Sequence, residues 1–306
     1  MVPIQTIIIF GLISGILYAL LAMGFTLIYG VAELVNMAHG AFFMLGAYIF
    51  FSFLTLLGFD SITNPDTILL PPAIILATIV VGIIGVVIYR FLIHPVEEEI
   101  LSSMVVTVFI AMVIQQIIYL PSPYGFGGKH YDVPSGVAGS IEILGVTVTY
   151  SKIIAVIVSL ILFAILSIFI AKAKVGTAMR AVAQDREVAM LMGINTTKLY
   201  ILTMTIASSL AALAGVFVVA SGSGTAEPHM WLTPLGMSFA IVILGGIGSV
   251  KGTLVASLIV GFAEQAVALS IPSGSYLRGA VALAIMVTVL LIRPRGLFGK
   301  RIELEE

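Results

Sequence analysis

Residues 4–29 read IQTIIIFGLISGILYALLAMGFTLIY and carry no charged side chain over 26 positions. A membrane-spanning helix needs about 20 mostly apolar residues, since lipid offers the backbone no hydrogen-bond partner outside the helix itself. The same reading applies to residues 37–57, 72–92, 101–120, 152–171, 199–220, 235–249, 253–270 and 276–292. The runs at 235–249 and 253–270 meet at a glycine-rich break, so eight or nine spans are expected. Hydrophobic residues make up 60% of the 306-residue chain and charged residues 9%. A soluble domain carries about 25% charged residues. The expected fold class is therefore all-α: a polytopic integral membrane protein, solvated by lipid, with some helices broken at glycine-rich points. Residues 1–306 form one transmembrane domain in this reading.

Lysine and arginine stay on the cytoplasmic side of a membrane. Alternating the spans puts residues 90–100, 172–198, Lys251 and the tail from 293 together, with eleven Lys and Arg against three (Lys129, Lys152, Arg278) opposite. The expectation is an N-terminus outside and a C-terminus in the cytoplasm. No basic segment precedes Ile4, so the first run is read as a retained span. The loop at 121–151 lies outside, and its segment Ile141–Tyr150 is rich in β-branched residues, with Gly145 placed to turn a small hairpin.

A net charge of −1 argues against a nucleic-acid partner, and the absence of cysteine excludes disulfides and thiolate chemistry. The four histidines (His39, His94, His130, His229) are scattered without metal-ligand spacing. No cofactor is expected. The phosphate-loop order G-x-x-x-x-G-K-[ST] is absent, as is H-E-x-x-H, so neither ATP hydrolysis nor metalloprotease chemistry has its residues here.

Charge concentrates where it is least expected. Seven of the 29 charged side chains lie in residues 172–198. Asp185 is placed to cap a helix starting at Arg186, and Gly193 to end it in the left-handed conformation. Val188, Ala189, Leu191 and Met192 give that helix an apolar side, and Thr196 or Thr197 caps the next span. A helix lying in the headgroups has this amphipathic form. Yet Gln184–Glu187 is polar all round and would bring acids toward acidic lipid, so a cytoplasmic protein partner fits the mixed charge better.

Two polar breaks interrupt the spans. The first, Gly30–Tyr48, holds Glu33, Asn36, His39 and Gly40 in apolar surroundings. The second, Leu244–Gly252, is LGGIGSVKG. Broken helices with ionisable groups are typical of transporter binding sites. An ordinary turn at the water line fits the first break as well. Glu264 is a carboxylate well inside its span and requires a partner, a proton or water. Gln115 and Gln116 are read as helix-joining amides, and Trp231 as an interface anchor.

These segments resemble the LivH-type permeases, subunits of branched-chain amino acid ABC importers. The loop pattern G-x-A-x-R-A-x-A-x-D, then A-x-x-x-G-I-N, is met by Gly176, Ala178, Arg180, Ala181, Ala183, Asp185, Ala189, Gly193, Ile194 and Asn195. The first break matches at Gly24, Tyr29, Gly30, Asn36, Ala38, His39, Gly40, Gly46, Ala47 and Tyr48, and the second carries L-G-G-I-G-S. Two positions depart: Ala41 stands where relatives carry Glu, and Glu97-Glu-Glu99 follows a proline usually followed by a base. The acids at 97–99 are expected to meet a basic patch on a partner.

The resemblance implies a second, LivM-like permease, two cytoplasmic ABC ATPases and an extracytoplasmic solute-binding protein. It makes the loop a coupling helix seated in an ATPase groove, with Arg180, Asp185, Arg186, Glu187 and Gly193 as coupling residues. Glu33, Asn36, His39, Gly40, Gly245, Gly246 and Glu264 are the pathway candidates. The implied cargo is a branched-chain amino acid, with urea or short amides as the alternative. A stand-alone proton-coupled carrier using Glu33, His39 and Glu264 is the rival from another transport class.

Overall fold

The computed structural model describes residues 3–57, 69–121, 124–131, 137, 139–222, 225–293 and 296–299. Arg295, Lys300 and Arg301 of the basic tail lie outside the described residues, as do Ser122, Pro123, Ser223 and Gly224 of the outer loops.

Eight described helices are long and apolar enough to cross a membrane. In chain order the elements are α1 (Ile4–Ala32), α2 (His39–Leu56), α3 (Leu70–Ile88), α4 (Ile100–Tyr119), β1 (Ser140–Ile143), β2 (Val146–Thr149), α5 (Tyr150–Lys172), α6 (Lys174–Val182), α7 (Arg186–Leu191), α8 (Thr196–Ala220), α9 (Leu232–Gly245), α10 (Val250–Ser270) and α11 (Arg278–Ile292). A π-helical turn, Tyr89–Ile93, and a 3-10 turn, His94–Val96, extend α3 toward α4. The run expected at 235–249 is the shorter α9, which ends at Gly245 where the backbone leaves the helical region at Gly246 (φ 95°).

α1, α2 and α8 form the buried centre, while α5 and α11 present most of their surface outward. Small residues set the centre's spacing. On α10, a Cβ built on Gly261 would stand 2.6 Å from the Cα of Gly15 on α1. With only hydrogens at the crossing, the two backbones approach closely and gain dispersion contact, the main attraction between helices in lipid. The Thr26 and Thr253 hydroxyls join the same two helices at 2.7 Å.

The expected hairpin is present. β1 pairs antiparallel with β2, Ile143 opposite Val146, and Leu144-Gly145 turn at φ 52° and 80°. Positive φ at both central residues is the twist that matches paired strands. Val146 and Val148 point inward and Thr147 outward, the alternation a half-buried strand requires.

Candidate functional site

The loop at 172–198 folds as two helices. Asp185 caps α7 as its position predicts, its Oδ1 accepting from the Val188 N–H at 2.9 Å. Gly193, at φ 85°, ends it. The Gly193 N–H donates to the Met190 carbonyl and the Ile194 N–H to the Ala189 carbonyl, which together form a Schellman closure. The next cap differs from expectation. Asn195, and neither Thr196 nor Thr197, accepts from the Lys198 N–H at 2.9 Å, because α8 already includes both threonines.

The two arginines of the loop grip their own chain. Arg180 on α6 donates through Nη1 to the Ile170 and Ala171 carbonyls, which α5 leaves free at its end. Arg186 places Nη2 3.2 Å from Glu97 Oε1. Glu97 is thereby turned inward, its side chain 4% exposed, where the sequence suggested a partner-facing acid. Its basic partner belongs to the same chain. The apolar side of α7 also differs. Ala189 alone of the four is buried; Val188, Leu191 and Met192 face outward, the last two 86% and 79% exposed. Glu187 is exposed beside them.

Beneath the loop lies a cavity of about 820 Å³, lined by Glu33, Arg180, Gln184, Ser249, Lys251 and Phe298, among others. The end of α1, the second glycine break, α6 and the tail beyond α11 all meet here. Glu33 sits one residue beyond α1 at φ 52°, exposed, its N–H donating to the Tyr29 carbonyl at 3.1 Å. Beside Gly245 and Gly246, two carbonyls at the end of α9 are taken up by the tail: the Leu297 N–H donates to the Leu244 carbonyl at 2.8 Å, and the Phe298 N–H to that of Gly245 at 3.1 Å.

Asn36, His39 and Gly40 lie deeper, where α2 starts against the middle of α1. Asn36 Oδ1 accepts from the Ala38 N–H at 3.0 Å. His39 is 0% exposed, with Nε2 3.0 Å from the Leu21 carbonyl. A carbonyl only accepts, so Nε2 carries the proton. Phe25 packs edge-on against the imidazole at 5.5 Å. Gly40 packs against the Trp231 carbonyl, with no room for a side chain. The unwound backbone between α1 and α2 is met by Thr107 of α4. Its hydroxyl accepts from the Met37 N–H at 3.1 Å, and its own proton returns to the Ser103 or Met104 carbonyl, each 2.9 Å away. Sequence reasoning missed Thr107; a hydroxyl inside an otherwise aliphatic run was its only signal.

Glu264 lies thirteen residues along α10 from Lys251, roughly 20 Å at 1.5 Å per residue. It is 0% exposed, with Arg278 Nε at 3.4 Å and Tyr18 beside it. The structure thus gathers Glu33, Arg180 and the second break round one cavity, and sets Asn36, His39 and Glu264 in the packed interior. Gln115 joins helices as its type suggests. It accepts from the Trp231 indole N–H at 2.8 Å and lies 3.1 Å from His229 Nδ1. Trp231 is accordingly buried and bonded to Gln115, not a lipid-interface anchor.

A multi-pass helical bundle whose glycine break meets a largely apolar cavity with a few charged groups has the architecture expected of a membrane permease. The chain belongs to the family described as branched-chain amino acid transport system, permease component, whose profile matches residues 7–290. It is 31% identical to the high-affinity branched-chain amino acid transport system permease protein LivH of Salmonella typhimurium, over 95% of this chain and 94% of that one. It is 30% identical to the corresponding permease protein BraD of Pseudomonas aeruginosa, over 95% and 94%. The ribose import permease protein RbsC of Haemophilus influenzae is 27% identical over 75% of this chain and 69% of its own. No solved structure matches the chain.

Proposed function

We propose that this chain is the permease subunit of an ABC importer and forms half of a transmembrane pathway for branched-chain amino acids. It works with a second, LivM-like permease, two cytoplasmic ATPases and an extracytoplasmic solute-binding protein. Its N-terminus lies outside and its C-terminus in the cytoplasm. The subunit hydrolyses no ATP, since the phosphate-loop residues are absent from its sequence. The family and its LivH and BraD relatives support the cargo.

One observation carries the mechanism. α6 of the charged loop, the end of α1 and the second glycine break border the same 820 Å³ cavity. A displacement of the loop therefore reaches the cavity wall without any intervening element. Exposed Leu191 and Met192 supply an apolar knob for the ATPase, and α6 and α7 form the loop that it moves. The cavity offers an acid (Glu33) and a base (Lys251) amid apolar walls, with Arg180 at its rim held to α5, a lining suited to a zwitterion with an aliphatic side chain. Asp185 and Gly193 hold the knob's shape, and Gly245 and Gly246 let the wall bend.

The test is reconstitution of the complete complex in liposomes with its binding protein inside or outside and ATP on the opposite face. ATP-dependent uptake of leucine, isoleucine or valine, in preference to urea and ribose, is the expected result. Uptake by the chain alone, driven by a proton gradient without ATP, would overturn it.

A further inference from the structure

Both arginines of the charged loop are spent within the chain, and they reach different helices. Arg180 fastens α6 to the end of α5. Arg186, the first residue of α7, crosses 89 positions of sequence to the connector between α3 and α4. That connector is unusual. α3 passes into a π turn at Tyr89–Ile93 and then a 3-10 turn at His94–Val96 containing Pro95. π turns are rare and recur at functional sites. This one directs the Tyr89 side chain inward, so that its hydroxyl donates to Glu97 Oε2 at 2.6 Å. Glu97 Oε1 receives Arg186 at 3.2 Å and lies 3.8 Å from His94 Nδ1. The His94 ring stacks on Tyr89, centroids 5.9 Å apart. Arg186 in turn lies over the Tyr200 ring of α8, 5.5 Å from its centroid.

The two oxygens of one buried carboxylate are thus divided between two elements. One belongs to the loop helix, the other to the π turn that ends α3. A surface ion pair yields to solvent when pulled. Here the Arg186 side chain is 38% exposed but that of Glu97 only 4%, so parting the pair leaves a buried carboxylate without its cation, which is disfavoured. α7 has little else to hold it, since Ala189 is its one fully buried residue.

We propose that Glu97 is a positioning residue that yokes α7 to the α3–α4 connector, so that displacement of α7 is delivered to α3 and α4 as well as to α5. Tyr89 orients the carboxylate, and Arg186, through Nη2, transmits the pull. The inference rests on the importer reading above, and it adds a second line of transmission beside the Arg180–α5 attachment. It also separates two jobs within the loop. The exposed face of α7 meets the ATPase, and Arg186 faces the permease.

The experiment compares Arg186→Gln, Arg186→Lys and Tyr89→Phe in the whole reconstituted complex. Tyr89→Phe removes a single hydroxyl and keeps the ring, so it tests the idea even if Arg186→Gln assembles poorly. Three readouts are taken: ATPase subunits retained per permease, ATP hydrolysed, and amino acid taken up per ATP. The expected result is retained ATPases, hydrolysis within about twofold of wild type, and uptake per ATP reduced at least threefold, with Arg186→Lys intermediate. Unchanged uptake per ATP in Arg186→Gln and Tyr89→Phe would overturn the yoke. Loss of ATPases from Arg186→Gln alone would overturn it too, by placing Arg186 in the ATPase contact. A wild-type complex that contains ATPases but imports another solute contradicts the cargo and leaves the yoke measurable by the same ratio. A wild-type complex without ATPases removes both.

Discussion

Gly30 and Gly248 meet face to face at the cavity, and a Cβ on Gly30 would stand 2.9 Å from the Cα of Gly248. The two glycine-rich breaks, over two hundred residues apart in sequence, are in backbone contact. Gly248 itself adopts φ 72°, where a side chain is strained. Gly30→Val would push the breaks apart. Overpacking of this kind destabilises by about 1–3 kcal/mol. The expected outcome is a lower thermal midpoint in detergent and reduced transport at normal membrane insertion. An unchanged midpoint would mean that the breaks part freely.

Leu191 and Met192 expose more apolar surface than a short polar-flanked helix has reason to expose. Replacing both with Asp leaves the Asp185 cap and the Gly193 closure intact. The double variant is expected to insert normally and to lose at least tenfold in ATPase affinity, about 1.4 kcal/mol. Co-purification at graded ATPase concentration reads this directly. Full retention of the ATPases would move the contact elsewhere on the loop.

Thr107→Val keeps the shape of the side chain and removes the acceptor for the Met37 N–H. A buried donor left unsatisfied costs about 1–3 kcal/mol. The variant should unfold at lower temperature, and Thr107→Ser should recover most of the loss. If valine and serine behave alike, the packing and not the hydroxyl supports the break.

Arg278 lies 3.4 Å from Glu264 at the start of a helix that is otherwise poorly buried. Removing one partner of a buried pair costs about 3–5 kcal/mol, less here because Arg278 is partly exposed. Arg278→Ala is expected to raise hydrogen exchange along α11 while α1 and α8 stay protected. Glu264→Gln should weaken the same attachment more than it alters substrate affinity. A large change in affinity with unaltered α11 exchange would instead put Glu264 on the route.

The architecture was legible because lipid imposes one rule on every residue. Uninterrupted apolar runs such as 4–29 read as helices, and the glycine cluster at 244–252 contains the break, which the structure confines to residues 246–249. The ends of α7 were equally legible, since Asp185 and Gly193 act on neighbours within a few positions. Pairings across the chain were not. Nothing local distinguishes Glu97, which reaches Arg186, from Glu98 or Glu99 beside it, and the π turn that aims Tyr89 has no sequence pattern of its own. Trp231 reads as an interface anchor until Gln115, 116 positions away, is seen to bind its indole. Thr196 and Thr197 were candidate caps by type, yet Asn195 comes first and α8 starts at Thr196, one residue earlier than a Thr196 cap would allow and two earlier than a Thr197 cap.

The crossing of α1 and α10 carries a consequence for biosynthesis. Gly15 must wait for Gly261, which the ribosome adds 246 residues later. At about 5–20 residues per second that is a delay of roughly 10–50 s. Throughout it the first span sits in the bilayer with its small-residue face toward lipid or toward whatever shields it. The order of synthesis thus leaves α1 without its α10 neighbour until most of the chain has been made.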